Sequence, residues 1–494
     1  MFPLRADQAA RRATPFVLVL GVTAALLITT GACFSLEAST EATAQATAQI
    51  EVPQGSLGTP LLERLRSVLG LIVLMGIAWG LSVDRSRVPW RVVMWGVGLQ
   101  IAFAVFILKT PIGAGVFDAA GGVVVALLGF TVDGARFVFG NLVFDTVPVG
   151  TGVIGQGGFS ALPGQVAQTG AAFAFNVLPT IIFFSALMTV LYHLGVMQLA
   201  VRGMAWVMQR TMGTSGAETL SAAGNVFVGQ TEAPLLIKPF VGEMTMSELM
   251  AVMTGGFATV AGGVLAAYVG ILVAYFPDIA GHLIAASVMS APAALVVAKL
   301  MYPEDGTPRS TGSLEIAVDR PDVNVIDAAA RGASEGLSLA LNVGAMLLAF
   351  LALIHMCNGL LGWMGGLVGW DALTLELILG RLLAPLAWLM GVPWADAPAV
   401  ASLMGVKTVL NEFVAYFQLA GTLSGDHGLQ PRSIVIATYA LSGFANFGSI
   451  AVQIGGIGGI APNRRHDLAK LGLRAMIGGS LAAFMTATVA GMVL

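Results

Sequence analysis

Gly229-Gln230-Thr231-Glu232-Ala233-Pro234-Leu235-Leu236 and Leu410-Asn411-Glu412-Phe413-Val414-Ala415-Tyr416 each set a carboxylate inside an apolar stretch. At membrane depth an ionised carboxylate costs several kcal/mol unless it faces a partner, a cavity or an ion, so such a residue marks a functional site. Two of them, in matching places in two halves of one chain, point to a substrate pathway across a membrane.

Composition supports the membrane class. Of 494 residues, 56% are hydrophobic and 10% charged, against about 25% charged in an average soluble domain. The 62 glycines suit closely packed and interrupted helices in a bilayer. A net charge of -3 gives no sign of a nucleic-acid partner, and Cys33 and Cys357 form neither a disulfide framework nor a metal-ligand spacing. The histidines, His193, His282, His355, His427 and His466, are scattered. Neither a His-Glu-x-x-His pair nor a nucleophile elbow is expected, which argues against an intramembrane enzyme.

Apolar runs long enough to span, at about 20 residues each, lie near 14–34, 68–83, 91–109, 171–193, 247–276, 280–301, 337–363, 432–452 and 469–493. Segments 113–139 and 372–390 carry interior charges (Asp118, Asp133, Arg136; Asp371, Glu376, Arg381) and read as interfacial or scaffold helices. Stretches 213–243 and 396–422, interrupted by Gly, Pro and charge, hold the two glutamates. Arg5, Arg11 and Arg12, then Arg85, Arg87 and Arg91, then Arg464, Arg465 and Lys470, place those ends in the cytoplasm and the C-terminus outside. The first run reads equally as an uncleaved helix or a cleavable signal peptide.

A repeat connects the two halves. Gly256-Phe257-Ala258-Thr259 begins 24 residues after Glu232, and Gly443-Phe444-Ala445-Asn446 begins 31 after Glu412. Each half thus has a broken acidic segment followed by a spanning helix interrupted by Gly-Phe-Ala and a polar residue. Paired interruptions of this kind mark the binding site of secondary transporters. The organisation expected is an N-terminal segment and linker over 1–62, scaffold helices over 63–170, and a first repeat over 171–302. A polar connection follows over 303–335, and the second repeat occupies 336–494.

Gly229 allows close approach to a ligand, while Gln230, Thr231 and Glu232 can hydrogen-bond the edge of a polar heterocycle. Glu412, Asn446 and Ser449 can grip sugar hydroxyls, with Phe444 against a ring face. The alternative is that the polar pair packs helices and the glutamates pair with Lys238 or Lys407. Asn225 and Thr259, with carbonyls of Val228 and Val260 freed where helices unwind, could hold a cation. Equally, Thr259 could bond back to its own helix and Asn225 cap the hairpin.

Several blocks are long enough to identify a family. Asn225 to Phe240 (NVFVGQTEAPLLIKPF), Met253 to Tyr268 (MTGGFATVAGGVLAAY), Asn411 to Tyr416 (NEFVAY) and Ile436 to Gly459 (IATYALSGFANFGSIAVQIGGIGG) resemble the concentrative nucleoside transporters. The resemblance runs over roughly 65 to 494. It implies an all-α polytopic membrane protein, an inverted-repeat transporter with two re-entrant helical hairpins and two broken transmembrane helices. It further implies an inner-membrane homotrimer importing nucleosides such as uridine and adenosine by an elevator-like shift, with no chemical conversion. By the same resemblance Gly229, Gln230, Thr231 and Glu232 face the base, Glu412 the ribose, and Phe444, Asn446 and Ser449 line the same site. The sodium ligands map to Asn225, Val228, Thr259 and Val260; proton-coupled relatives tend to lack that Asn, so Na⁺ is the expected coupling ion. A proton-coupled symporter and a channel for small polar solutes are the competing readings.

Overall fold

The computed structural model describes residues 59–144, 146–151, 160–168, 173–310, 322–367, 369–370, 372–423 and 428–494. The apolar run at 14–34, and with it the choice between helix and signal peptide, lies outside the described residues. Among the described residues three helices come first: α1 (Leu61–Gly80), α2 (Trp90–Lys109) and α3 (Pro111–Phe139). Thr110 caps α3 by accepting from the Gly113 amide at 3.0 Å, and Pro111 stands at its first position, where the missing N–H costs nothing. At 29 residues α3 is long and apolar enough to cross a membrane, although its charges suggested an interfacial or scaffold helix rather than a span. An antiparallel strand pair not anticipated from the sequence follows, β1 (Thr146–Thr151) with β2 (Ser160–Gln168).

The same order of elements then occurs twice. The first set is α4 (Leu178–His193), α5 (Val196–Met212), a hairpin and a broken helix, and it closes with α10 (Ile279–Met301). That hairpin descends through α6 (Gly216–Gly224), turns over 225–232 and returns through a 3₁₀ stretch, Ala233–Ile237, into α7 (Lys238–Val241). The broken helix comprises α8 (Met246–Ala258) and α9 (Gly262–Leu272). The second set is α11 (Val325–Gly366), α12 (Leu375–Leu389), the hairpin α13 (Ala397–Val409) and α14 (Glu412–Leu423), the broken helix α15 (Pro431–Leu441) and α16 (Phe447–Ile460), and α17 (Arg465–Val493). Both broken helices and both helix–turn–helix segments therefore stand where the sequence placed them. Among the described residues seven helices are long and apolar enough to cross a membrane.

One boundary and one motif differ from expectation. The polar connection ends early: Asn324 caps α11 by accepting from the Ile326 and Asp327 amides at 3.0 and 2.9 Å, so 325–335 is helix. The spacing Gly332-Ala333-Ser334-Glu335-Gly336 does have the letters of a nucleophile elbow, contrary to the sequence reading. It lies inside continuous α11 rather than on the strand-to-helix turn that such an elbow needs. Its glycines serve packing instead: Ala328, Gly332, Gly336 and Ala340, spaced by four, form the seam on which α11 meets α4.

Helices α10 and α17 are buried along most of their length and pack on each other, with α8, α2, α15 and α1 around them. A fastening recurs at the foot of each hairpin. In the first set Ser215, capping α6, donates its hydroxyl to Glu248 of α8 at 2.6 Å. In the second, Asp396 at the start of α13 accepts from the Ser433 hydroxyl of α15 at 2.6 Å and from the Gln430 amide at 3.0 Å. Each hairpin is so tied to the broken helix of its own set.

Candidate functional site

Helix α8 ends at Thr259, whose backbone turns extended (φ -116°, ψ 168°), and α9 starts afresh after Ala261. The second break covers Ser442 to Asn446, with Asn446 extended and capping α16 by accepting from the Ser449 amide at 2.9 Å. The Gly-Phe-Ala motifs are thus not equivalent in place: Gly256-Phe257-Ala258 is still helix, whereas Gly443-Phe444-Ala445 is the unwound stretch itself. The breaks cross each other. A Cβ on Gly443 would lie 2.9 Å from the Phe257 carbonyl oxygen and 3.0 Å from that of Ala258, so only glycine fits the crossing.

Glu412 opens α14 and is 4% exposed. Its Oε1 accepts from the Tyr268 hydroxyl of α9 at 3.0 Å, and its Oε2 from Asn446 Nδ2 at 2.9 Å. Tyr268 is in turn held by Tyr416, ring centroids 4.5 Å apart, and by Phe413 at 4.8 Å. Lys407 donates to the Ala440 carbonyl at 2.8 Å, and among the described residues neither Glu412 nor Glu232 is in an ion pair. The structural pairing with Lys238 or Lys407 is therefore not observed; Glu412 is a buried carboxylate held by neutral donors.

The first hairpin's tip divides between two directions. Gln230 Oε1 accepts from Gln453 Nε2 of α16 at 3.0 Å, and Thr231 lies against Gly456 of the same helix. Glu232 folds its carboxylate back over Gly229, accepts from the Thr231 hydroxyl at 3.2 Å, and faces a cavity of about 650 Å³. The cavity runs from Val228 and Gly229 past Lys238 to Arg331 and Glu335 of α11. Asn446, Ser449, Gln453 and Gly456 are spaced by three or four and lie on one face of α16. That face meets Glu412 from one hairpin and Gln230 and Thr231 from the other. Phe444 is half-buried at the break. Tyr268 and Gln453 escaped the sequence reading; only the seven-residue interval from Asn446 to Gln453 hinted at the latter.

The candidate cation ligands gather between the first tip and the first break. Asn225 ends α6 and donates Nδ2 to the Ser221 carbonyl at 3.0 Å, leaving Oδ1 buried without a hydrogen-bond partner. Thr259 does bond back to the Gly255 carbonyl at 2.9 Å, which uses its proton and leaves its oxygen lone pairs. The Gly262 amide donates to the Phe227 carbonyl at 3.1 Å, locking break to tip. Helices α6 and α8 both end here, and two C-terminal dipole ends favour a cation. A buried orphan oxygen beside two negative helix ends fits a monovalent cation held by neutral oxygens.

Family models place this geometry. Residues 69–142 match the N-terminal and 282–491 the C-terminal part of the Na⁺ dependent nucleoside transporter, and 174–275 match a nucleoside recognition model. An uncharacterized transporter of Haemophilus influenzae is 44% identical over 436 residues, 87% of this chain and 97% of that protein.

The chain belongs to the concentrative nucleoside transporter family.

Members of that family are multi-pass membrane transporters, not enzymes, and this chain is one. Rat sodium/nucleoside cotransporter 2 is 40% identical, covering 87% of this chain and 62% of the rat protein. The transporter CNTnw in an inward-facing, substrate-bound state is 43% identical with a TM-score of 0.76, covering 88% of this chain and 98% of that one. An outward-facing variant of CNTnw gives a TM-score of 0.78 at the same identity, covering 88% and 99%.

Proposed function

We propose that this transporter imports nucleosides, uridine and adenosine among them, by sodium-coupled symport across the inner membrane. The observation that carries the reading is the polar face of α16, which joins both hairpin tips around a buried carboxylate. Glu412 and Asn446 hold the ribose, with Ser449 and Phe444 beside them. Gly229, Gln230, Thr231 and Glu232 make up the base side, Gln230 and Thr231 against α16 and Gly229 and Glu232 at the cavity. Asn225, Thr259 and the carbonyls of Val228 and Val260 hold Na⁺. The hairpins re-enter the bilayer from opposite sides, and the fastened feet let each hairpin and its broken helix move together in an elevator-like shift against α4 and α11. The exposed apolar face of α11, with Leu341, Leu348, Met356 and Trp363, is available to lipid and to neighbouring protomers of a homotrimer.

The energetics suffice. One Na⁺ with a neutral nucleoside moves one charge, worth about 2.3 kcal/mol at roughly 100 mV. A tenfold sodium gradient adds about 1.4 kcal/mol, and the sum sustains accumulation of several hundred-fold.

Uptake of uridine into liposomes tests the reading, with an inward sodium or an equal potassium gradient at clamped voltage. Overshoot with sodium alone is expected. Overshoot driven only by external acid would replace sodium by protons, and a passive approach to equilibrium under every gradient would indicate a channel. Asn225→Ala should raise the half-maximal sodium concentration about tenfold, the worth of one lost buried oxygen contact. An unchanged sodium curve in that variant removes Asn225 from the ligand set.

A further inference from the structure

Gln453 lies in the apolar run Ile450-Ala451-Val452-Gln453-Ile454, where a lone amide reads as a helix-packing residue. Its surroundings give it a narrower task. The side chain is fully buried, and its Nε2 lies 3.0 Å from the Met253 carbonyl oxygen and 3.0 Å from Gln230 Oε1. A main-chain carbonyl can only accept, so the Gln453 atom facing Met253 must be the nitrogen. That nitrogen has a second hydrogen, which points at Gln230. The Gln230 atom receiving it must therefore be the oxygen. Oε1 accepts from Gln453 with one of its lone pairs, which fixes the orientation of the half-buried Gln230 amide and leaves its N–H₂ free for the site; among the described residues no protein group accepts from that nitrogen.

Helix α8 leaves room for this relay at one position. A Cβ on Gly256 would lie 2.7 Å from Gln453 Nε2 and 2.9 Å from Gln230 Cβ. Any side chain there would push the two glutamines apart. The glycine of the first Gly-Phe-Ala motif thus makes way for the pair.

We infer that Gln453 is a specificity-determining positioning residue: anchored on the Met253 carbonyl, it fixes the amide of Gln230 so that the site presents a hydrogen-bond donor to the base. The inference rests on the assignment of Gln230 to the base side of the nucleoside site. It follows that keto and amino bases of equal size are told apart here. Uridine and cytidine, like inosine and adenosine, exchange donor and acceptor along the same edge, and a fixed donor accepts one arrangement and leaves the other with two donors opposed.

The test compares uptake of the four nucleosides, each as kcat/KM, by the full chain and its variants in liposomes. Gln453→Met removes the anchor and lets the Gln230 amide turn over. It should change the keto-to-amino ratio about threefold to tenfold, the worth of one neutral hydrogen bond. Gln453→Glu places an acceptor against Gln230, turns its nitrogen inward and exposes its oxygen. It should move the ratio further in the same direction. Gly256→Ala, on a different helix, should reproduce Gln453→Met, so failure of one variant to fold leaves the other decisive. A purely structural role predicts equal losses for all four nucleosides. Ratios within twofold of the parent in every folded variant, or loss of all four alike, would overturn the inference while leaving nucleoside transport in place. Absence of uptake of any of the four by the unaltered protein would instead overturn the nucleoside reading itself.

Discussion

Glu412→Gln should lower uridine uptake by about tenfold to a hundredfold, with no fall in the unfolding temperature of the purified protein. Hydrogen bonds to a charged group are worth roughly 1.5–3 kcal/mol, about twice neutral ones, and the ribose hydroxyls lose that advantage when the acceptor becomes an amide. A second loss adds to the first. The carboxylate serves Tyr268 with one oxygen and Asn446 with the other. An amide has a single acceptor atom, so it keeps one of these donors and turns its own N–H₂ toward the other. Either Tyr268 is released from the ribose side or the cap of α16 is disturbed. Stability should hold because a buried carboxylate without a cationic partner is replaced by a neutral group. The check is uptake and thermal unfolding on the same preparation. Parental rates in this variant would remove Glu412 from the site.

Lys299→Met should have the opposite profile, a large loss of stability. Lys299, near the end of α10, is 4% exposed and Glu218 of α6 1%. The ammonium lies 2.7 Å from Glu218 Oε2, 3.0 Å from Glu304 Oε2 and 2.9 Å from Ser247 Oγ. Removing one partner of a buried pair leaves an uncompensated charge, at a cost of about 3–5 kcal/mol, whereas removing both charges together is often near neutral. Thermal unfolding in detergent should therefore show a marked fall for the single variant and recovery of most of it when Glu218→Gln is added. Equal instability of single and double variants would show that Lys299 acts through packing rather than charge.

The elements that were legible in the sequence share a cause. Glutamate, proline and glycine inside apolar runs disrupt helix periodicity so strongly that both helix–turn–helix segments and both broken helices are legible in the sequence. Their registers were less legible. The same Gly-Phe-Ala letters are helical at 256–258 and unwound at 443–445, where Gly443 passes close against the Phe257 and Ala258 carbonyls at the end of α8. Asp118, Asp133 and Arg136 suggested an interfacial or scaffold helix, and α3 runs unbroken through all three. The candidate site was legible for the acidic and hydroxyl residues, which stand out in otherwise apolar stretches of sequence. It was not legible for Tyr268 and Gln453. An aromatic or a single amide in a spanning helix is ordinary until a partner from a distant segment is found facing it, here 144 residues away for Tyr268 and 223 for Gln453. Glu232 stands beside Gln230 in sequence but turns toward α11, a separation that depends on how the tip folds over Gly229.

The polar face of α16 acts as a measuring rod. Asn446 and Gln453 are seven residues apart, so their places along the axis differ by about 10 Å at 1.5 Å per residue. The sugar end and the base end of the proposed ligand are therefore gauged by one stiff element, and the distance between them is set by helical rise rather than by loop closure. A molecule with the right groups at the wrong interval engages one hairpin and misses the other. A single residue inserted between the two marks would swing Gln453 by about 100° around the axis, leaving both chemical ends intact but no longer on the same scale.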